Sequence, residues 1–223
     1  MFSNEGVFSM KLYGFFRSSA AFRARIALNL KGLDYEYVPV DLLKGEASKP
    51  EYRDGLNPQG LVPTLEVDGL LIAQSLAICD YLDEIKPQPP LMPHDAAGCA
   101  RVRSLALFVA CDIHPLNNVR VLEYLTNQIG VSKDQRLAWY HHWIHEGFVA
   151  LEKSLSRSPA TGKFCHGDTP TLADVCLVPQ VYNAYRYKVD MTPYPTLRRI
   201  NETCLALPAF DKARPENQPD AVP

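Results

Sequence analysis

Two periodicities divide the chain. Up to about residue 85, short apolar runs with strand-like alternation are interleaved with stretches of helical spacing. Met10 to Phe15 is a short apolar run and predicts a strand. From Ser18 to Leu30, Phe22, Ile26 and Leu30 share one face of a predicted helix, and Gly32 supplies its stop. Tyr35 to Val40 alternates aromatic and β-branched residues, a second strand. Leu43 to Gly55 is polar and mixed, with Pro50 inside it, and reads as loop plus short helix. After the turn Asn57-Pro58-Gln59-Gly60, Pro63 stands at the start of a third strand, where a missing N–H is tolerated. Asp68-Gly69 joins that strand to Leu70–Ala73, a hairpin signal. Ser75 is expected as the N-cap of a helix from Leu76 to Ile85.

Lys86 to Pro93 holds four prolines in eight residues, which excludes helix interior and central strand and marks a linker. Beyond it the spacing is helical throughout. Ala96 to Thr126 is long and apolar-periodic, with Pro115 predicted to interrupt it around Asp112 to His114. Ser132…Gln135 is a capping box opening a helix to about Leu155, and Thr171…Asp174 resembles one opening a helix that reaches about Arg186. Pro193 and Pro195 bound a last helix, Thr196 to Cys204, and the Pro-, Asn- and Gln-rich stretch from Arg214 reads as a poorly ordered or surface-draped tail. The expected organisation is an α/β domain over residues 10–87 and an all-α domain over 95–223.

Composition changes this picture little. The chain has 223 residues, 47% hydrophobic, with 23 basic and 25 acidic side chains, so a packed core is expected and a general nucleic-acid or membrane-surface binder is not. No run of 18 apolar residues occurs, and Met1 to Ser9 reads as an extra leader, not a signal peptide, before a start at Met10. Six cysteines, none in a C-x-x-C pair, read as reduced thiols of a cytoplasmic protein. His141 and His145 stand four apart on a helix. No acidic third ligand has suitable spacing and Trp139 and Trp143 flank them, so no metal site is expected. Arg23 and Arg25 read as helix-surface charges.

The chemistry gathers at Ser18-Ser19-Ala20-Ala21-Phe22-Arg23-Ala24-Arg25-Ile26-Ala27. A hydroxyl pair where a strand passes into a helix is either a plain N-cap or an anion site, because the first helical N–H groups lack partners and the dipole makes that end positive. The stretch resembles the signature Ser-Ser-Cys-x-Trp-Arg-x-Arg-Ile-Ala of the zeta class of cytosolic glutathione transferases. Ala20 stands in place of the cysteine and Phe22 in place of the tryptophan. The segments Asp112-Ile113-His114-Pro115-Leu116-Asn117-Asn118 and Tyr187 to Pro195 are similar to that class too, as are the Val-Pro before the third strand and the Gln-Ser before the helix that follows the fourth. The resemblance runs from about Met10 to Asp220.

That resemblance implies a thioredoxin-like N-terminal domain plus an all-α C-terminal domain, with glutathione as cofactor. Ser19, with Ser18 and Arg17, is then catalytic. Val62 and Pro63 (in a cis turn), Gln74, Ser75, Gln59, His114 and Asn118 bind glutathione, the last two perhaps from a partner subunit. Arg17, Arg186 and the weaker candidate Arg120 hold the carboxylates of a maleyl keto-diacid, since Arg suits bidentate carboxylate recognition. The implied activity is cis–trans isomerisation of maleylacetoacetate or maleylpyruvate by a homodimer. Two alternatives stay open: a broader transferase acting on small α-halo acids, and a non-catalytic glutathione-binding homologue.

Overall fold

The computed structural model describes residues 9–221, and the leader reading of residues 1–9 falls outside them but for Ser9. The chain forms two compact units: one runs up to Pro89 and includes the chain again from Pro208, and the other is Pro90–Leu207.

In the first unit, β1 (Met10–Gly14), β2 (Glu36–Pro39), β3 (Thr64–Val67) and β4 (Leu70–Ala73) make a mixed sheet in the order β2-β1-β3-β4. β1 runs parallel to β2 and antiparallel to β3, and β3 is antiparallel to β4. The predicted hairpin turn is present: Asp68 and Gly69 have φ of 47° and 87°, the positive values a two-residue turn of this hand requires. The pleat sends successive side chains to opposite faces. Leu12 and its cross-strand partner Leu65 are fully buried, while Tyr13 joins a separate apolar cluster with Phe15, Phe16, Tyr52 and Val62.

Helix α1 (Ser19–Lys31) packs against α3 (Ser75–Ile85). It ends as predicted at Gly32, whose φ of 56° suits a residue without Cβ. The short α2 (Pro50–Gly55) lies in the loop region between β2 and β3. Two expectations for these helices are corrected. Ser75 is the first residue of α3, and Gln74 takes the cap position with φ 71°. Arg23 and Arg25 are not surface charges: they are 3% and 0% exposed. The reason lies at the other end of the chain.

From Pro208 the chain forms the short helix α9 (Pro208–Lys212) and a 3₁₀ turn at Pro215–Asn217, with Phe210, Ala213 and Pro215 buried. Of the described stretch from Arg214, expected as poorly ordered or surface-draped, only Pro215 is buried, and the whole segment from Pro208 groups with the first unit where the sequence assigns it to the helical domain. It covers α1, so α1 has no solvent face, and Arg25 donates from Nε to the Ala213 carbonyl at 2.9 Å. Asn29 similarly reaches the Ala209 carbonyl at 3.0 Å. A pattern search within one helix cannot register a cover supplied from about 190 residues away.

The second unit contains α4 (Ala96–Leu107), α5 (Val119–Tyr124), α6 (Lys133–Ser156), α7 (Leu172–Arg186) and α8 (Pro195–Leu205). Between α4 and α5 the backbone passes through a π-helical turn, Phe108–Ile113, and a 3₁₀ turn, Pro115–Asn117. The interruption predicted from Pro115 therefore begins a full turn earlier. His114 N–H bonds the Val109 carbonyl five residues back, a widened register that ends where proline has no N–H to continue it. Helix α6 starts with the predicted capping box, Ser132 Oγ accepting from Gln135 N–H and Gln135 Oε1 from Ser132 N–H. Helix α7 is the central helix of this unit, buried at twelve of its fifteen residues.

At its start Asp174 is fully buried and accepts from the Thr171 N–H, the Thr171 hydroxyl and the Cys165 N–H, at 2.8 to 2.9 Å. Burial raises the Asp174 carboxyl above its usual value although these bonds act the other way, and burial with Asp174 pushes the Cys165 and Cys204 thiols up. Replacing Asp174 by Ala orphans three buried donors at about 1 kcal/mol each. Asp174→Ala is therefore expected to lower the unfolding free energy by about 3 kcal/mol in urea denaturation, and Asp174→Asn by less.

Candidate active site

The strand register assembles the site. Tyr13, Thr64 and Ala73 sit side by side on β1, β3 and β4. The residues just beyond them, from Phe15 onward, Pro63 backward and Gln74 onward, therefore leave the sheet at one end. The α1 N-terminus, the Val62-Pro63 turn and the α3 N-terminus all lie there.

The first is the loop after β1. Ser18 is the N-cap of α1, its Oγ accepting from the Ala21 N–H at 3.2 Å. The plain capping role is thus real, and the Ser18 hydroxyl proton remains to be donated elsewhere. Ser19, 6% exposed, opens the helix. No acidic side chain occupies the first turn, so the positive helix end is not neutralised locally. A Cβ at Gly14 would stand 3.0 Å from the Tyr37 ring and 3.3 Å from the Ala21 Cβ, so these neighbours would have to give by a few tenths of an ångström. Arg17 is half-buried, with its guanidinium carbon 4.9 Å from the Phe16 ring centre and 5.7 Å from that of Phe15. This contact holds a long side chain near one orientation.

The second is the turn before β3. The Val62-Pro63 peptide is cis, as the resemblance implied, and both residues are buried. The Val62 backbone makes no hydrogen bond to another described residue, which leaves one peptide edge available to an extended ligand. The preceding loop is braced: the Leu61 carbonyl accepts from Asn57 Nδ2 and from the Tyr52 hydroxyl, both at 2.8 Å, and Asn57 Oδ1 accepts from the Gln59 N–H.

The third is the start of α3. Ser75 is 5% exposed and its Oγ accepts from Arg23 Nη1 at 3.3 Å, which sets a buried guanidinium beneath a second helix N-terminus. Gln74 and Gln59 are exposed and paired, Gln74 Nε2 donating to Gln59 Oε1 at 2.7 Å. Both helix N-termini, both glutamines and the free peptide edge offer donors, the set an anionic peptide-like ligand needs. Arg23 and Arg25 are participants that sequence reasoning missed. Their only signal was an Arg-x-Arg spacing that surface charges share.

The other expected residues belong to the second unit. His114 is half-buried between the π-helical and 3₁₀ turns. Asn118 caps α5, its Oδ1 accepting from the Arg120 N–H at 3.1 Å, and Arg120 is exposed. Arg186 is exposed at the last residue of α7, its guanidinium carbon 5.0 Å from the Tyr187 ring centre. Tyr187 in turn stacks on Tyr140 at 3.7 Å. His141 bonds the Tyr187 carbonyl and His145 the Tyr194 hydroxyl. Among the described residues no group of three or more His, Cys, Asp and Glu could hold a metal ion. A groove of about 780 Å³ in this unit, lined by Arg103, Leu107, Phe108 and Asp112 among others, contains none of the expected residues.

A mixed four-stranded sheet with a cis-proline turn and two helix N-termini at one end defines a thioredoxin-like fold whose donors suit an anionic peptide-like ligand. Residues 8–84 match the family described as glutathione S-transferase, N-terminal domain, and residues 144–200 match glutathione S-transferase, C-terminal domain. The chain belongs to the glutathione S-transferase family. It is 51% identical over 216 residues to a Vibrio cholerae serotype O1 protein named probable maleylacetoacetate isomerase, covering 96% of this chain and 99% of that one. A solved structure of a maleyl pyruvate isomerase, described as a bacterial glutathione-S-transferase in zeta class, superposes with a TM-score of 0.93 at 50% identity, over 95% of this chain and 100% of that one. A maleylacetoacetate isomerase from Methylobacterium extorquens AM1, solved with bound malonate and glutathione, superposes with a TM-score of 0.92 at 44% identity, over 96% and 100% of the two chains.

The cap at Ser18 has a measurable worth of its own. Ser18→Ala is expected to lower the unfolding free energy by about 1 kcal/mol in denaturant titration, and Ser18→Asp to recover most of it.

Proposed function

We propose that this protein is a glutathione-dependent cis–trans isomerase of a maleyl keto-diacid, maleylacetoacetate or maleylpyruvate. One observation carries the reading. The cradle of Ser18-Ser19, cis Val62-Pro63 and Gln74-Ser75 stands complete in a chain half-identical, end to end, to proteins bearing those names.

The donor set fits glutathione. The Val62 backbone suits the cysteinyl peptide, Ser75 at the α3 N-terminus the γ-glutamyl carboxylate, and Gln74 and Gln59 the remaining polar groups. Held by Ser19, Val62, Gln74 and Ser75, glutathione would supply the thiolate nucleophile for reversible addition to the cis double bond, and its release would return it unconsumed. Ala20 offers no protein thiol in the first turn of α1, so the chain's task is to ionise the bound one. A free thiol has a pKa of about 8.5, and lowering it by two units takes about 2.7 kcal/mol. The α1 N-terminus contributes about 0.3–2 kcal/mol and a serine hydroxyl bonded to the charged sulfur about 1.5–3. Together they suffice.

The substrate carboxylates require cations. Arg17 supplies one from the loop after β1, and Arg186, with Arg120, supplies others from the second unit. The reading extends to a homodimer in the cytoplasm. Its supports are the exposed apolar residues Leu70 and Leu71 on edge strand β4 and Val119 and Tyr124 on α5, which a second copy would bury, and six cysteines that are all free. His114 and Asn118 are assigned to the glutathione site, from the partner copy if not from the same one.

The test is ultraviolet-monitored turnover of both maleyl compounds with free thiol titrated in parallel. Trans product is expected at constant thiol, and thiol loss with an α-halo acid in place of isomerisation would overturn the reading. Ser19→Ala is expected to cut turnover roughly a hundredfold with the fold intact by circular dichroism. Near-normal turnover there, beside a collapse in Ser18→Ala, would transfer the role to Ser18. Arg186→Ala is expected to raise KM for the maleyl compound about tenfold while leaving KM for glutathione within twofold.

A further inference from the structure

The loop that carries the reactive residues has almost no support from regular structure. β1 ends at Gly14 and α1 begins at Ser19, so residues 15–18 lie outside both ladder and helix. Of the local bonds, Ser18 N–H donates to the Phe15 carbonyl at 2.9 Å and so closes a tight turn. The orientation of that turn is set at Phe16, and both polar groups of the Phe16 backbone are held by charged side chains from elsewhere. Its N–H donates to Asp220 Oδ2 at 3.0 Å, 204 positions along the chain. Its carbonyl accepts from Arg25 Nη2 at 2.9 Å. Arg25 is anchored in turn by its bond from Nε to the Ala213 carbonyl, and Asp220 Oδ2 accepts a second bond from the Tyr37 hydroxyl at 3.3 Å. The Phe16 ring lies beneath the Arg17 guanidinium.

We propose that Asp220 and Arg25 are positioning residues for the reaction: they clamp the backbone on both sides of Phe16 between the C-terminal segment and α1, and through it hold Arg17 and the Ser18 hydroxyl in place. The two peptide units that flank Phe16 are each held by an ionic group, Phe15–Phe16 through its N–H and Phe16–Arg17 through its C=O, so neither can swing without breaking a charge-assisted bond. Rotation there would move the two residues that follow together, the guanidinium with its Phe16 platform and the hydroxyl with the helix start. Neither Asp220 nor Arg25 touches the cradle in this scheme. Both act through Phe16. The same contacts explain why a Pro- and Asn-rich segment is built into the first unit with buried anchors at Phe210, Ala213 and Pro215.

The proposal rests on the reading of the α1 start as the thiolate site, and the test separates the two. Wild type, Asp220→Ala and Asp220→Asn are compared by pH titration of the ultraviolet absorbance of bound glutathione thiolate, by amide hydrogen exchange over residues 15–18 without ligand, and by kcat. Asp220→Ala is expected to raise the thiolate midpoint by about one pH unit, to speed exchange at Phe16 at least about tenfold, and to lower kcat about tenfold. Asp220→Asn keeps an acceptor for the Phe16 N–H and is expected to restore most of all three. Unchanged exchange, or faster exchange with unaltered thiolate titration and kcat, would overturn the proposal, as would an effect confined to the unfolding midpoint. If wild type isomerises neither maleyl compound yet the exchange and titration shifts appear, the substrate reading falls and the clamp stands. If glutathione does not bind wild type at all, both fall.

Discussion

The first unit depends on the burial of α1. This helix has apolar neighbours on every side, yet it carries Arg23, Arg25 and Lys31 into that environment, each at most 3% exposed. A buried cation is tolerable only when its donors are satisfied. Each has partners: Arg23 has Ser75, Arg25 the Phe16 and Ala213 carbonyls, and Lys31 Asp83 and the Pro89 carbonyl, while Arg25 Nη1 makes no hydrogen bond to a described residue. Burial pulls the Arg25 guanidinium below its usual pKa, with Tyr37 and Asp220 acting the other way. Those three cations tie α1 to α3, to the loop after β1, to the chain entering the linker and to the C-terminal segment. The helix that opens at Ser19 is thus fixed to four other parts of its unit.

Such fixing matters because the chemistry asked of the site is electrostatic. A helix end and one hydroxyl can shift a thiol by two pKa units only if they point at the sulfur without reorganising. Preorganisation then depends on residues that never meet the ligand. The braced loop at Asn57 and Tyr52 does this for the cis turn, and Arg23 does it for Ser75. The sheet register supplies the rest. It brings three separate stretches, 60 residues apart at the extremes, to one sheet end, where the Gln74–Gln59 and Arg23–Ser75 bonds join them.

The replacement of the family's cysteine by Ala20 is consistent with this division of labour. Where the reactive sulfur arrives with the bound tripeptide, a protein thiol in the first turn of α1 is dispensable. The proposed site then relies on the hydroxyls, the helix dipole and the arginines. The six cysteines the chain does have are placed otherwise. Cys165 and Cys204 surround the buried Asp174 cap, where burial keeps their thiols protonated and unreactive. Cys111, by contrast, is exposed at the π-helical turn.

Local chemistry was legible in the sequence. The hairpin at Asp68-Gly69, the glycine stop at Gly32, the box at Ser132…Gln135 and the break near Pro115 all follow from a residue and its neighbours within about five positions, because φ preferences and capping bonds act over that range. The family resemblance carried the cis turn and the Gln-Ser pair. The sequence by itself thus determined most of the elements and the α/β-then-α order. Tertiary structure alone decided that Arg23 and Arg25 are interior, that Ser75 lies inside α3 and Gln74 outside it, that Gln59 and Gln74 are partners, and that the last stretch returns to clamp Phe16. Burial and charge pairing depend on which segments meet in space. A helix with charges at Arg-x-Arg spacing reads as a solvated face until a segment from about 190 residues away is laid over it.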